Sequence, residues 1–171
     1  MTMISIPATI WDDMIVHARE LDPHECCGVL AGKDGIISEQ YRITNILATM
    51  TEEELATFFE KGKLSDLKNL SPEQRADIAF IMDMGDFSAA VKDIRQKEFT
   101  LPIFYHSHTS SPARPSETDI KKAMDFEDMR DKLNFPEPLH LIISLEDKAK
   151  PVIRAFRIQN SQSTEVPVQR Q

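Results

Sequence analysis

The sequence predicts an α/β fold, in which strands form a sheet and amphipathic helices pack on it. Short apolar runs typical of buried strands alternate with stretches whose apolar residues recur at spacings of three and four. The chain has 171 residues, of which 41% are hydrophobic and 28% charged, as expected for one globular domain. We therefore expect a single domain over residues 1–158 and a polar, flexible tail over residues 159–171.

A helix and a β-hairpin are predicted first. Apolar residues recur with helical spacing from Ile10 to Leu21, and the helix should stop before Pro23, because proline disfavours helical geometry in the residue before it. Residues 25–32 are typical of a strand, residues 33–35 of a hairpin turn and residues 36–45 of the returning strand.

The composition becomes polar over residues 51–72, where Leu55, Phe58 and Phe59 indicate a short helix. We interpret residues 51–75 as an insertion over the sheet edge. It is either a lid or partner surface, or a simple spacer helix. A strand over residues 76–82 and an amphipathic helix over residues 86–98 are predicted to follow.

The second half of the chain contains the strand that precedes the principal motif. Residues 101–105 form a short apolar and aromatic run typical of a buried strand. The remaining predicted elements are a helix over 116–129, a loop over 133–138, a central strand over 139–146 and a last strand over 152–158.

Charge and hydropathy exclude several classes of function. A net charge of -8 without a stripe of Lys and Arg argues against nucleic-acid binding. No apolar run approaches the roughly 18 residues that span a bilayer, and the first residues lack the pattern of a secretory signal. We therefore expect a cytoplasmic protein that binds neither nucleic acid nor membrane. The sequence indicates no oligomeric state.

The remaining histidines and cysteines give no further site. Cys26 and Cys27 are adjacent, which excludes a disulfide framework and a CxxC metal pair, and buried free thiols are expected. His17 and His24 have no evident metal partner, and His140 is expected to be a packed core histidine.

The principal motif is HSHTSSPARPSETD, from His106 to Asp119, with the spacing H-x-H-x7-S-x2-D. His106 and His108 follow a predicted strand at positions i and i+2, so both imidazoles should point to the same side. Ser116 is typical of a helix N-cap, and Asp119 would lie in the first turn of that helix. Two histidines and one carboxylate, with water at the fourth position, form a recurring catalytic zinc arrangement.

Each residue of this motif also has a simpler interpretation. Ser116 and Asp119 resemble a capping box, and an isolated histidine is more often a surface or hydrogen-bonded core residue than a ligand. A capping box, however, predicts nothing about a histidine pair eight residues upstream of its serine. Glu25 is equally ambiguous, because a carboxylate at the head of a strand is either solvated or held beside an active site. The joint spacing favours a metal site.

The motif, together with an upstream segment, resembles the JAMM (MPN+) zinc metalloprotease family, and the chain is similar to its prokaryotic single-domain members. The family pattern PxExCGxLxG corresponds to PHECCGVLAG around Glu25, and HSH-x7-S-x2-D corresponds to the motif that ends at Asp119. Thr109 stands where the family usually has proline. The resemblance implies a three-layer α-β-α, cytidine-deaminase-like domain with a central mixed sheet flanked by helices.

The resemblance also implies an activity. One zinc ion per chain would be held by His106, His108 and Asp119, with Glu25 as general base and Ser116 as a donor to the oxyanion. The reaction would be hydrolysis of an amide or isopeptide bond at the C-terminal Gly-Gly end of a ubiquitin-like or sulfur-carrier protein.

Two other classes of function compete with this interpretation. The first is a non-catalytic MPN-type interaction scaffold, in which the five residues would be retained without being used. The second is another zinc hydrolase such as a nucleoside deaminase, but the chain lacks the H-x-E and P-C-x-x-C pattern of those enzymes.

Overall fold

The architecture is a mixed six-stranded sheet with helices on both faces, seen in a computed structural model of the chain. The structure describes residues 3–60, 67–133 and 137–171, of which 58–60, 101–102 and 128–133 are described in backbone only. The helices are α1 (Ala8–Leu21), α2 (Glu52–Glu60), α3 (Pro72–Ile78), α4 (Met84–Gln96) and α5 (Glu117–Leu133). The strands are β1 (Ile4–Ile6), β2 (Cys27–Lys33), β3 (Ile36–Ile43), β4 (Thr100–His108), β5 (Leu139–Ser144), β6 (Val152–Gln159), β7 (Gln162–Val166) and β8 (Val168–Arg170).

The strand order of the main sheet is β3-β2-β4-β5-β6-β7. Strands β4 and β5 are parallel, and the other neighbouring pairs in this sheet are antiparallel. The predicted hairpin between β2 and β3 is confirmed, because Lys33 pairs with Ile36 and both residues between them, Asp34 and Gly35, have positive φ. This topology places β4, which carries both motif histidines, inside the sheet between β2 and β5.

The alternation of residues along β2 shows why the fold has three layers. Cys26 and Leu30 belong to a core shared with Ile10 and Met14 of α1. Cys27 and Val29 point to the opposite face, into a core that includes residues of α4 and α5. The sheet therefore has α1 on one face and α4 and α5 on the other, as the predicted fold class requires.

The prediction of a strand over residues 76–82 is wrong. Ser71 accepts a hydrogen bond from the backbone of Gln74, and the Gln74 side chain accepts one from the backbone N–H of Ser71. This capping box, with Pro72 directly after the cap, begins helix α3. Met82 forms only an isolated bridge with Asn45.

The prediction of a flexible tail over residues 159–171 is also wrong. Strand β7 pairs with β6, and β8 pairs in parallel with β1 near the start of the chain. Val166 is buried and Val168 packs against the core, so two apolar residues and the strand pairing hold this mainly polar segment in place.

The predicted insertion is packed where it is described. Helix α2 is present, and Leu55 is buried with Met50, Leu67 and Ala76. Residues 61–66, the side chains of Phe58 and Phe59, and residues 134–136 of the predicted loop over 133–138 lie outside the described part. Within the part of the chain that the structure describes, no helix is long and apolar enough to cross a bilayer.

Candidate metal centre

Strand β4 carries the two motif histidines to the end of the sheet. His106 and His108 are two residues apart, so their side chains point to the same face, and both are 5% exposed. The loop after β4 leads into α5, whose first turn carries Asp119 over the pair. The structure thus brings the three predicted ligands together at the buried end of one strand.

The three ligand atoms form a nearly equilateral triangle. His106 Nε2 lies 3.1 Å from His108 Nε2, and Asp119 Oδ2 lies 3.2 Å and 3.0 Å from these two nitrogens, respectively. Ligand atoms held tetrahedrally at about 2.0–2.1 Å from zinc are about 3.3 Å apart. The observed triangle fits that requirement, and this group is one that could hold a metal ion.

The orientation of His108 also suits metal binding. Its Nδ1 lies 2.8 Å from the carbonyl oxygen of Pro112, which can only accept a hydrogen bond. In the neutral imidazole, Nδ1 therefore carries the proton, and the lone pair of Nε2 faces the other two ligand atoms. A backbone carbonyl that fixes the tautomer in this way is typical of metal-binding histidines.

Ser116 and Asp119 form the capping box and the metal group at the same time. Ser116 N donates to Asp119 Oδ2 at 2.9 Å, and Asp119 N donates to Ser116 Oγ at 3.1 Å. The same Oδ2 contacts both imidazoles. The two interpretations of this pair in the sequence are therefore compatible, because the capping box holds the carboxylate in place.

Glu25 lies on the same face of the sheet as the histidines. Cys27 pairs with His106 in the antiparallel ladder, so the register places Glu25 opposite His108. Glu25 is 3% exposed, and its Oε2 is buried without a hydrogen-bond partner within the described residues. Burial, followed by the negative charge of Asp119, raises the pKa of Glu25 to about 8.

The ligand residues influence one another's protonation. Burial would raise the pKa of Asp119, but the neighbouring imidazoles hold it well below its usual range. Burial lowers the pKa of His106, whereas for His108 the hydrogen bond and charge of Asp119 outweigh burial and raise the pKa. Asp119 thus remains ionised, as metal coordination would require.

Sequence reasoning missed Lys122 and Phe80. Lys122 is partly buried, its Nζ lies 3.7 Å from the centroid of the Phe80 ring, and it donates a hydrogen bond to the Phe80 carbonyl. The Phe80 ring also packs against His106, with centroids 4.8 Å apart. The spacing contained a signal for Lys122, because residues three apart on a helix share a face and Lys122 follows Asp119 by three.

An apolar cavity of about 190 Å³ opens beside the three ligand residues. His106, Asp119 and Lys122 form its polar edge. The rest of its wall is mainly aromatic and aliphatic, from Phe80, Met82, Met84, Phe87, Phe104, Pro115, Ala123, Phe126, Ile142 and Ile158, together with His140. A concave apolar site with a few convergent polar groups is typical of a ligand pocket.

The other histidines and both cysteines lie outside the metal group. His17 Nδ1 is 2.9 Å from the Tyr105 hydroxyl, and His24 Nδ1 is 2.7 Å from Asp77. His140 packs beside Phe104, and burial lowers its pKa to about 4. Cys26 and Cys27 are buried free thiols, as predicted.

Comparison with known proteins gives one family and several relatives. The family model described as prokaryotic homologs of the JAB domain matches residues 7–159. A CysO-cysteine peptidase of Mycobacterium tuberculosis (strain ATCC 25618 / H37Rv) is 26% identical over 166 residues, which cover 97% of this chain and 90% of that protein.

Solved structures share the fold. A protein of Desulfitobacterium hafniense is 28% identical with a TM-score of 0.69, over 99% of this chain and 93% of that one. A protein of Salinibacter ruber is 25% identical with a TM-score of 0.57, over 99% and 92%. A JAB1/MPN domain protein from Archaeoglobus fulgidus, 14% identical with a TM-score of 0.50 over 99% and 100%, supports the fold alone. The predicted fold class is thereby confirmed.

Proposed function

Because this chain belongs to the family of prokaryotic homologs of the JAB domain, we propose that it is a zinc-dependent peptidase of the JAMM type. Its substrate would be an amide or isopeptide bond at the C-terminal Gly-Gly end of a ubiquitin-like or sulfur-carrier protein. The observation that carries this proposal is the triangle of His106, His108 and Asp119 with the unpaired carboxylate of Glu25 on the same face. The relative named a peptidase supports a peptidase-type function.

His106, His108 and Asp119 would hold one zinc ion through two imidazole nitrogens and one carboxylate oxygen. When bound, zinc would act as a Lewis acid and lower the pKa of water from 15.7 to about 7. The protein contributes the capping box and the Pro112 carbonyl, which fix the ligand atoms before any ion arrives. Such preorganisation lowers the cost of binding.

Glu25 would serve as the general base and then as the acid. A buried carboxyl whose pKa lies at about 8 can both accept and return a proton near neutral pH. In the proposed reaction, Glu25 takes a proton from the attacking water and delivers it to the departing amine. Its Oε2 has no hydrogen-bond partner among the described residues, so the carboxylate is available for this proton transfer.

Ser116 would stabilise the negative charge that develops on the carbonyl oxygen. Its Oγ accepts a hydrogen bond from the backbone N–H of Asp119, which leaves the hydroxyl hydrogen available to donate. Loss of one such donor typically costs a factor of about 10² to 10³ in kcat.

The substrate assignment rests on the family resemblance and on the relative's name, which states CysO-cysteine as the substrate of that protein. An extended tail can add a strand to a sheet edge, and β3 and β7 are the edges of the main sheet. We propose that one of these edges guides the tail to the metal group. A cytoplasmic location stays a prediction, as does a lid role for residues 51–75.

Metal analysis coupled to a hydrolysis screen tests the proposal. The purified chain should contain about one zinc ion and should cleave sulfur-carrier adducts or ubiquitin-like fusions. Glu25→Gln should keep the zinc and lower kcat by a factor of about 10² to 10⁴, because it removes the proton acceptor. His106→Ala should lose the metal.

His140→Gln is the matched control for His106→Ala, because His140 lines the same cavity but lies outside the ligand triangle. It should retain the zinc. Full activity of Glu25→Gln would remove Glu25 from the mechanism, and unchanged metal content of His106→Ala would reject the ligand assignment. Zinc binding without hydrolysis of any conjugate would favour the non-catalytic scaffold instead.

A further inference from the structure

The apolar cavity beside the metal group contains a feature that the proposed reaction does not use. Lys122 places a primary amine at the edge of a wall formed mainly by Phe80, Phe87, Phe104 and Phe126. A lysine in such surroundings normally has a carboxylate partner. No ion pair of Lys122 with a carboxylate occurs within 4 Å in the described part of the chain; its hydrogen bond is to the Phe80 carbonyl.

The position of Lys122 relates it to the reacting groups. It follows Asp119 by three residues on α5, so the two side chains start about 5–6 Å apart on one helix face. Its ammonium contacts the Phe80 ring, which also packs against His106. Lys122 and Glu25 are near enough that each affects the other's pKa. Lys122 therefore lies on the polar edge of the cavity together with His106 and Asp119.

The charge and the hydrogen-bond donors of Lys122 indicate which chemical group the cavity would bind. Lys122 contributes its ammonium to the cavity wall; burial lowers its pKa, whereas the charges of Glu25 and Asp119 oppose that shift. The ammonium has three donors, of which the Phe80 carbonyl takes one. A bound anionic group would neutralise this charge and fill the remaining donor positions.

We propose that Lys122 binds the free α-carboxylate of the amino acid that leaves when the amide bond is cleaved, while the aromatic wall contacts its side chain. This proposal rests on the proposed function and specifies its leaving group. The cavity of about 190 Å³ has room for about six water molecules, which is comparable to one small amino acid. The carboxyl carbon of the leaving residue is three bonds, or about 3–4 Å, from the scissile carbonyl carbon, so both lie close to the metal group.

A pair of probes tests this assignment directly. The probes are a fluorescein-labelled peptide that ends in Gly-Gly-Cys with a free carboxylate and the same peptide with a C-terminal carboxamide. The zinc-loaded protein should cleave the acid with a kcat/KM about 10- to 100-fold above that of the carboxamide, because a charged hydrogen bond is lost in the latter. The difference should lie mainly in KM, since the carboxylate is held before and during the reaction.

Lys122→Met should bring the ratio of the two kcat/KM values close to one, because it keeps an unbranched stem and removes the charge. Lys122→Arg should preserve much of the ratio. Lys121→Met is the matched control, since Lys121 is the exposed neighbour on the same helix and the change in net charge is identical. That control should keep the wild-type ratio.

Binding provides a readout that does not depend on turnover. In the Glu25→Gln background, fluorescence polarisation should give a lower Kd for the acid than for the carboxamide, and Lys122→Met should remove that difference. Equal cleavage and equal binding of the two peptides by the protein with Lys122 intact would overturn the proposal.

An equal loss of kcat/KM for both peptides in Lys122→Met, with a shifted pH profile, would also overturn it. Lys122 would then be a positioning residue for Glu25. If neither peptide is cleaved but the acid still binds more tightly than the carboxamide, the proposed peptidase function is rejected and the carboxylate-binding role of Lys122 is retained.

Discussion

At the residue scale, single side chains serve structure and site together. Asp119 caps the start of α5 through the N–H of Ser116 and also completes the ligand triangle. Glu25 is the opposite case, because its Oε2 is buried without a partner in the described structure. Burying an unpaired carboxyl is costly, and such unsatisfied groups occur where a function requires them. This cost supports the proposal that Glu25 takes part in the reaction.

His17, a buried histidine outside the metal group, should make the free energy of unfolding depend on pH. Burial and the charge of Arg42 lower the pKa of His17 to about 4, although Asp13 and Glu20 oppose the shift. The unfolded chain binds a proton to His17 near pH 6.5, whereas the folded chain does so only near pH 4. The contribution of His17 to the free energy of unfolding is therefore complete above pH 6.5. It decreases as the pH falls from 6.5 towards 4, by up to about 1.4 kcal/mol per pH unit.

The measurement compares the free energy of unfolding of the wild type and His17→Gln by urea denaturation at several pH values. Other groups titrate in both proteins, so the difference between them isolates His17. The stability difference should change between pH 6.5 and 4 and stay constant above pH 7. A difference independent of pH would show that His17 is protonated equally in both states.

At the element scale, caps and tertiary partners determine which segments become helices or strands. Residues 76–82 contain apolar residues suited to a strand, but the capping box of Ser71 and Gln74 begins α3 instead. The guanidinium of Arg75, on α3, donates to the carbonyls of Leu67 and Lys68 and to Glu52. Through Arg75, helix α3 is bound both to α2 and to residues 67–68, which precede α3. The described part of the predicted insertion is thus a packed subdomain beside the sheet.

Leu55→Ala tests whether this packing contributes to stability. Leu55 is fully buried, so its truncation should lower the free energy of unfolding by about 2–5 kcal/mol through lost burial and a residual cavity. Thr57→Ala, at an exposed position of the same helix, should change it by less than about 0.5 kcal/mol. Chemical denaturation monitored by circular dichroism gives both values. Equal stability of the two variants would mean that α2 is not packed as described.

At the scale of the whole molecule, the two ends of the chain are joined through strands. Strand β8 pairs with β1, and the backbone of Gln171 exchanges hydrogen bonds with Ile6 and Ala8. Ile6 is fully buried against the α1 face of the sheet. The last residues therefore help to position the first strand and the helix that follows it.

Deletion of residues 160–171 tests this contribution. The deletion removes β7 and β8 and exposes the surface under Val166, so the free energy of unfolding should fall by at least about 2 kcal/mol. Thr164→Ala, at an exposed position of β7, should leave stability nearly unchanged. Thermal and urea unfolding of the three proteins provide the comparison. A truncated protein as stable as the full chain would support a frayed tail.

The sequence by itself determined the fold class, most element positions and the motif residues, because periodicity and motif spacing are local properties of the chain. The turn at Asp34 and Gly35 and the histidine pair of β4 are examples. Only the tertiary structure decided which distant groups meet, since register and packing depend on the whole sheet. It placed Glu25 opposite His108, Lys122 against Phe80, and the C-terminal strand β8 beside β1. Each of these contacts joins residues far apart in the chain, and no local pattern encodes them.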